Sequence, residues 1–190
     1  MNNKELNYTG RKLTKILRHQ INEFKHDKNG YVLIDDIKKY DILFKNMSID
    51  DVKKIVANDN KSRFDLLDKD GKYYLRANQG HSIGNLDDDT MLTPLLKPIE
   101  GCFHGTFSSN INSIKKEGIS RMTRKHIHIA ESEDAKSGKR NSCDIKIYIN
   151  MELALDEGIK FFQSKNKCIL TPGNDDGILL PKYFLKIEKI

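Results

Sequence analysis

The hydrophobic pattern of this chain changes period at one place, and that change constrains the fold more than any other feature of the sequence. Before residue 82, apolar side chains recur at helical spacing. Leu13, Ile16, Leu17, Ile21 and Phe24 share one face of a helix expected over 12–24, with Arg18 and His19 projecting from the other half. After residue 99 they gather into short runs that read as strands, over 103–107, 127–130, 145–149, 168–170 and 183–187. The stretch between, SIGNLDDDTMLTPLLKPI (82–99), holds a glycine, an acidic run and two prolines, and it sustains neither period. Two lobes of a mixed α+β chain are expected, over 1–85 and 100–190, joined by a linker over 86–99.

In the first lobe a second helix is expected over 34–43, with Ile34, Ile37 and Leu43 inward, and a third begins at Ser48, whose hydroxyl is placed as N-cap ahead of Asp51. Two β-prone runs then flank Asp70-Gly71, a strong hairpin signal. Three short helices and a hairpin come in the order of a winged helix. In the second lobe Ile145, Ile147 and Ile149 alternate with Lys146 and Tyr148, and a helix over 110–117 stops at Gly118.

Charge narrows the function classes without choosing one. The 190 residues carry 33 basic and 27 acidic side chains, a net +6 that suits a polyanionic partner and equally a solvated surface. No apolar run reaches the roughly 18 residues of a membrane span, and MNNKELNYTG has no signal-peptide core, so no membrane and a cytoplasmic (or, in a eukaryote, nuclear) location are expected. Cys102, Cys143 and Cys168 lack CxxC spacing and are read as plain buried thiols. Arginine is more informative. Against 26 lysines stand only seven arginines, at 11, 18, 63, 76, 121, 124 and 140, so each is a candidate for a position that needs a planar fork for phosphate or carboxylate.

Five polar constellations could carry chemistry. Arg18-His19 lies on the first helix. Arg76-Ala77-Asn78-Gln79-Gly80-His81-Ser82 follows the hairpin and is dense in phosphate-compatible donors. His104-Gly105-Thr106 sits on a strand, where the glycine admits a ligand or another stretch of backbone. The run 120–128 brings Arg121, Arg124, Lys125, His126 and His128; the two histidines are spaced to share a face, but no further ligand accompanies them, and no metal is expected. Last comes Ser137-Gly138-Lys139-Arg140-Asn141-Ser142-Cys143, which lacks the P-loop spacing. GxSxG, HExxH and GxGxxG are absent, and no carboxylate pair is spaced for acid/base work. A site of Arg, His, Asn and Thr suits an anionic substrate that supplies its own nucleophile, with guanidinium groups orienting it.

Taken together, LTKILRH, NGYVLIDDI, RF, YYLRANQGHSI, HGTF, SIKKEGISRMTRKHIHIA, SGKRNSC and ILTPGNDDGILLPKYF resemble, in order and spacing, the NAD-dependent RNA 2′-phosphotransferase family, which removes the splice-junction 2′-phosphate from tRNA. The resemblance implies a winged-helix lobe and an ADP-ribosyltransferase-like lobe, with RNA phosphate and NAD meeting between them. It implies attack of the RNA 2′-phosphate on the nicotinamide ribose, then transesterification to 2′-OH RNA and ADP-ribose 1″,2″-cyclic phosphate, without metal. It also implies catalytic roles for Arg18, His19, Arg76 and Arg140, with Arg124 competing for the fourth place. Substrate phosphate would be held by Arg18, His19, Arg76, Asn78, Gln79 and His81, and NAD by His104, Gly105, Thr106, Arg124 and His128. A monomer acting on RNA is expected. Two alternatives stay open: ADP-ribosylation of terminal phosphates of RNA or DNA on the same fold, and a non-catalytic nucleic-acid-binding module.

Overall fold

Asn2 starts the first helix: its Oδ1 accepts from the Lys4 and Glu5 N–H groups at 3.0 Å, and the Glu5 carboxylate accepts from the Asn2 N–H at 2.9 Å. This capping box satisfies donors that a helix N-terminus otherwise leaves to water. Helix α1 therefore runs Asn3–His19, and the chain then tightens into a 3-10 turn, Ile21–Glu23. The expected helix over 12–24 is corrected at both ends. Its apolar face holds: Leu13, Ile16, Leu17, Ile21 and Phe24 are all buried.

The computed structural model describes residues 1–82, 86 and 91–190. The chain divides into two compact units, Met1–Met91 and Leu92–Ile190, and both mix helices with antiparallel strands, the α+β class. Of the stretch expected as a linker, residues 87–90 lie outside the described residues, as do 83–85 just before it. From residue 92 onward it belongs to the second unit, where Thr93–Pro94 pairs as an edge strand.

In the first unit α1 is followed by β1 (Val32–Leu33), α2 (Ile34–Tyr40), α3 (Ile49–Ala57), β2 (Phe64–Lys69) and β3 (Lys72–Ala77). Ser48 and Asp51 form a second capping box at the start of α3, as the sequence suggests. Leu43 is not an inward residue. Asp41 accepts from the Leu43 N–H and pairs with Lys12, which ends α2 early and starts a 3-10 turn that exposes Leu43 and buries Phe44 instead. Asp70 and Gly71 both have positive φ, 53° and 74°, the turn whose twist matches two antiparallel strands. A two-residue turn fixes register, so Lys69 faces Lys72 and Asp65 faces Arg76. The sheet order is β1-β3-β2, and Val32, Phe64, Leu75 and Ala77 turn inward onto α1 and its neighbours.

The second unit contains β4 (Thr93–Pro94), β5 (Phe103–Thr106), α4 (Ile111–Glu117), β6 (Ile119–Ser120), β7 (Ile127–Ile129), β8 (Ile145–Ile149), α5 (Met151–Asp156), β9 (Phe162–Gln163), β10 (Ile169–Thr171), β11 (Ile178–Leu179) and β12 (Phe184–Lys189). The sheets are ordered β4-β9-β10-β7, β12-β8-β5 and β11-β6. Phe103 and Ala130 exchange two backbone hydrogen bonds, 2.8 and 3.0 Å, which join the first two sheets. Ile145, Ile147 and Ile149 are buried while Lys146 and Tyr148 face outward, so the alternation read in the sequence is present. Gly118 ends α4 at φ +98°, where a Cβ would meet Leu179 O at 2.6 Å. Cys102 and Cys168 are buried thiols and Cys143 is half-buried; burial pushes Cys102 up to about 11. Among the described residues no helix is long and apolar enough to cross a membrane.

Candidate active site

In the first unit the end of α1 and the segment after β3 lie against each other. The Ser82 N–H donates to the Arg18 carbonyl at 3.0 Å, and the Ser82 hydroxyl stands 2.8 Å from His19 Nδ1. These bonds join LRH to GHS, 63 residues apart in sequence. Gly80, at φ +86°, makes the approach possible: a Cβ there would stand 3.0 Å from Arg18 Cζ and Nε. Only glycine adopts that backbone at little cost while leaving room for a guanidinium. Arg18 is half-buried and His19 exposed, so an imidazole reaches solvent beside a partly desolvated cation.

Arg76 occupies the central strand β3, held by β2 on one side and by the residues just before β1 on the other. Its Nη2 donates to Asp65 Oδ2 at 3.1 Å, Nη1 to the Asn29 carbonyl at 3.4 Å, and its guanidinium lies 4.7 Å from the centre of the Tyr31 ring. Tyr31 donates its hydroxyl to the same Asp65 Oδ2 at 2.7 Å; burial and that carboxylate push the phenol up to about 12. Arg76 Nε is buried with no hydrogen-bond partner among the described residues. A buried donor left without an acceptor is costly, and an anionic oxygen would satisfy it.

Of the other residues expected at phosphate, Gln79 and His81 are buried, and so is Asn78. Asn78 is better explained as structure. Its Nδ2 donates to the Ser62 and Phe64 carbonyls, at 2.7 and 3.1 Å, and its N–H to the Arg63 carbonyl, so both amide donors are committed to shaping the turn. The arginine economy divides in the same way. Arg63 is a structural clamp, donating through Nε and Nη2 to Asp59 Oδ1 at 2.8 and 2.6 Å, and Arg121 lies over Gly177 and donates to the Arg124 carbonyl.

In the second unit β5 and β7 bring His104 and His128 together. His104 Nδ1 lies 2.9 Å from the His128 carbonyl, which can only accept, so Nδ1 carries the proton and Nε2 of the neutral ring is an acceptor. Burial lowers the His104 pKa, and Arg140 and Arg124 lower it further; the ring is neutral near pH 7. Arg124 stands 3.3 Å from His128 Nδ1, and burial with the Arg140 charge pulls it below the usual arginine value. Arg140 is exposed and lies 5.6 Å from the Phe107 ring centre. These four residues form one basic cluster.

Gly105 admits the chain itself. A Cβ there would meet Cys143 Sγ at 2.9 Å and Lys139 Cβ at 3.5 Å, so the close approach that glycine permits is used by the 137–143 loop. Gly138, at φ +82°, sets that loop on the backbone of Ile129. Lys139 extends past Gly105 to place its ammonium 5.6 Å from the Phe103 ring centre and to donate to the Glu133 carbonyl. Thr106 is buried, its carbonyl accepting from the Asp144 N–H at 3.2 Å. His126 is buried edge-on to Phe162, and among the described residues no group of three His, Cys, Asp or Glu side chains is placed to hold a metal ion.

Sequence reading missed Asp65 and Tyr31, although the turn could have revealed one of them. Counting outward from Asp70-Gly71 places residue 65 opposite residue 76.

Comparison with known proteins places the chain in a family. A family model described as RNA 2′-phosphotransferase, Tpt1 / KptA family, matches residues 4–173. The chain is 35% identical over 190 aligned residues to tRNA 2′-phosphotransferase 1 of Danio rerio, covering 94% of this chain and 83% of that protein. It is 42% identical over 149 residues to the protein of the same name from Homo sapiens, covering 74% of this chain and 58% of the human one. A bacterial relative, named "Probable RNA 2′-phosphotransferase", from Fusobacterium nucleatum, is 35% identical over 188 residues, with 93% and 96% covered. The chain belongs to the RNA 2′-phosphotransferase family.

Proposed function

We propose that this protein removes an internal 2′-phosphate from RNA by transferring it to NAD, yielding 2′-hydroxyl RNA, ADP-ribose 1″,2″-cyclic phosphate and nicotinamide. The observation that carries the reading is the junction of LRH with GHS, where Ser82 bonds to the Arg18 backbone and the His19 ring while Gly80 makes room for the Arg18 guanidinium. Family membership supplies the reaction class. We read the first unit as a winged-helix lobe, in keeping with the order α1-β1-α2-α3-β2-β3 and sheet order β1-β3-β2. The second is read as the ADP-ribosyltransferase-like lobe that takes NAD.

In this reading Arg18 and Arg76 hold the 2′-phosphate, two forks suited to a dianion. The phosphate is its own nucleophile, so the protein's work is orientation and charge stabilisation. His19, exposed and tied at Nδ1, moves a proton in the second step, where a hydroxyl must lose one and an RNA alkoxide must gain one. NAD is a co-substrate, and the donors of the second unit suit it. Arg124 and Arg140 match a diphosphate, and neutral His104, with Nδ1 committed to a carbonyl, offers Nε2 to a ribose hydroxyl. Asn78 is left out of the phosphate contacts.

The test is to supply NAD with oligoribonucleotides bearing either an internal 2′-phosphate or a 5′-phosphate and to follow nicotinamide release. Release with the 2′-phosphorylated strand alone is expected. Release only with the terminal phosphate would move the reading to nucleic-acid ADP-ribosylation, and none with either would leave a binding module.

A further inference from the structure

Arg76 is flanked by a carboxylate on one side and a tyrosine on the other. The register explains the arrangement. Asp65 lies directly across from Arg76 on β2, and continuing the β1–β3 pairing of Val32 with Leu75 by one residue places Tyr31 across from it on the other side. Directly opposed residues of an antiparallel sheet share a face, so Tyr31, Arg76 and Asp65 form a row across it. Asp65 Oδ2 closes the row by accepting from both Arg76 Nη2 and the Tyr31 hydroxyl, at 3.1 and 2.7 Å. Asp65 and Arg76 side chains are only 15% and 12% exposed, so these bonds are held out of bulk water.

An acid beside a phosphate-holding arginine opposes phosphate binding by charge, and something must offset that. A guanidinium has five N–H donors, of which Asp65 and Asn29 take two, so others are left for a substrate. What the acid and the ring supply is direction. An arginine on a strand has several freely rotating bonds, and ordering it only when substrate arrives would draw on the interaction energy. We propose that Asp65, with Tyr31, is a positioning residue that fixes the Arg76 guanidinium before the RNA 2′-phosphate arrives; the inference rests on the function read above. Asp65 touches no reacting atom and acts through Arg76.

The experiment measures kcat and KM for a 2′-phosphorylated oligonucleotide and for NAD in Asp65→Ala, Asp65→Asn and Tyr31→Phe, with melting temperature as the folding check. Asp65→Ala should lower kcat about 10-fold, the scale for freeing one long side chain, with KM for NAD unchanged. Asp65→Asn, which keeps an acceptor oxygen of the same shape, should restore most of that loss. In an Arg76→Lys background, Asp65→Ala should cost no more than about twofold further, because residues acting through one another are not additive. A wild-type kcat in Asp65→Ala overturns the proposal. So does a fall in KM for the RNA at unchanged kcat, which would make Asp65 a competitor for Arg76. An undiminished loss in the Arg76→Lys background overturns it as well. If Asp65→Ala does not fold, Asp65→Val, which fills the same place on the strand and removes both acceptor oxygens, takes its place, and a wild-type kcat there is equally fatal. A wild-type protein that releases no nicotinamide contradicts the function itself, whereas an active wild type with a crippled Arg76→Ala and a normal Asp65→Ala contradicts only this inference.

Discussion

Replacing Gly80 with alanine separates two effects that the structure superposes at one residue. The backbone there has φ +86°, and an added Cβ would lie 3.0 Å from Arg18 Cζ and Nε. Forcing an L-residue into the left-handed region costs about 1–2 kcal/mol. Gly71 supplies the control: its φ is +74°, yet a Cβ would meet nothing within 4 Å. Both variants should lose that stability, a drop of roughly 2–4 °C in Tm per kcal/mol for a chain of this size. Only Gly80→Ala should lose activity, because its Cβ displaces the Arg18 guanidinium by several tenths of an ångström. A misplacement of about 1 Å can cost 10²-fold, so a fall of roughly 10-fold is expected below the melting range. The assay is 2′-phosphate removal at 20 °C alongside a thermal melt. Equal turnover in Gly71→Ala and Gly80→Ala, at equal Tm, would refute the idea that Gly80 serves Arg18.

Three further outcomes are expected. Arg63→Ala strands the buried Asp59 carboxylate and should destabilise the protein by about 3 kcal/mol in denaturant unfolding, while turnover per folded molecule stays within twofold. Because burial, Arg140 and Arg124 depress His104, the unfolded chain binds a proton below about pH 6.5 that the folded one refuses. Stability should therefore fall with pH from about 6.5 down to the folded pKa, by at most ~1.4 kcal/mol per unit, and His104→Asn should flatten that part of the unfolding profile. Gly105→Ala should impair turnover by pressing Cys143 Sγ, 2.9 Å from the new Cβ, and Cys143→Ala in the same chain should recover it; no recovery would show that the loop contact is not the cause.

Much of this molecule can be read from sequence where a local rule acts alone. Ser48 with Asp51, the Asp70-Gly71 turn and the alternation of Ile145, Ile147 and Ile149 each commit the backbone through contacts a few residues away. The first half of α1 is legible in principle from Asn2 and Glu5, but its polar, glycine-containing sequence hides the period. The two-residue strands β1, β4, β6, β9 and β11 are too short to carry any period. At the candidate site, residue types were legible and partners were not. Arg63 has its clamp, Asp59, four residues upstream, whereas Asp65 and Tyr31 reach Arg76 only through the pairing of the sheet. Gly105 likewise reads as room for a ligand until the 137–143 loop is seen to fill it.

The most direct measurement follows the phosphorus. An oligoribonucleotide carrying one internal 2′-phosphate, labelled in that phosphate, is incubated with the protein and NAD, and the products are separated. The account expects the label to leave the RNA and appear in ADP-ribose 1″,2″-cyclic phosphate, one equivalent per nicotinamide released, with Arg18→Ala and His19→Ala each slowing its appearance severely. Label that stays on the RNA, departs as inorganic phosphate, or moves at the normal rate in both variants would contradict it.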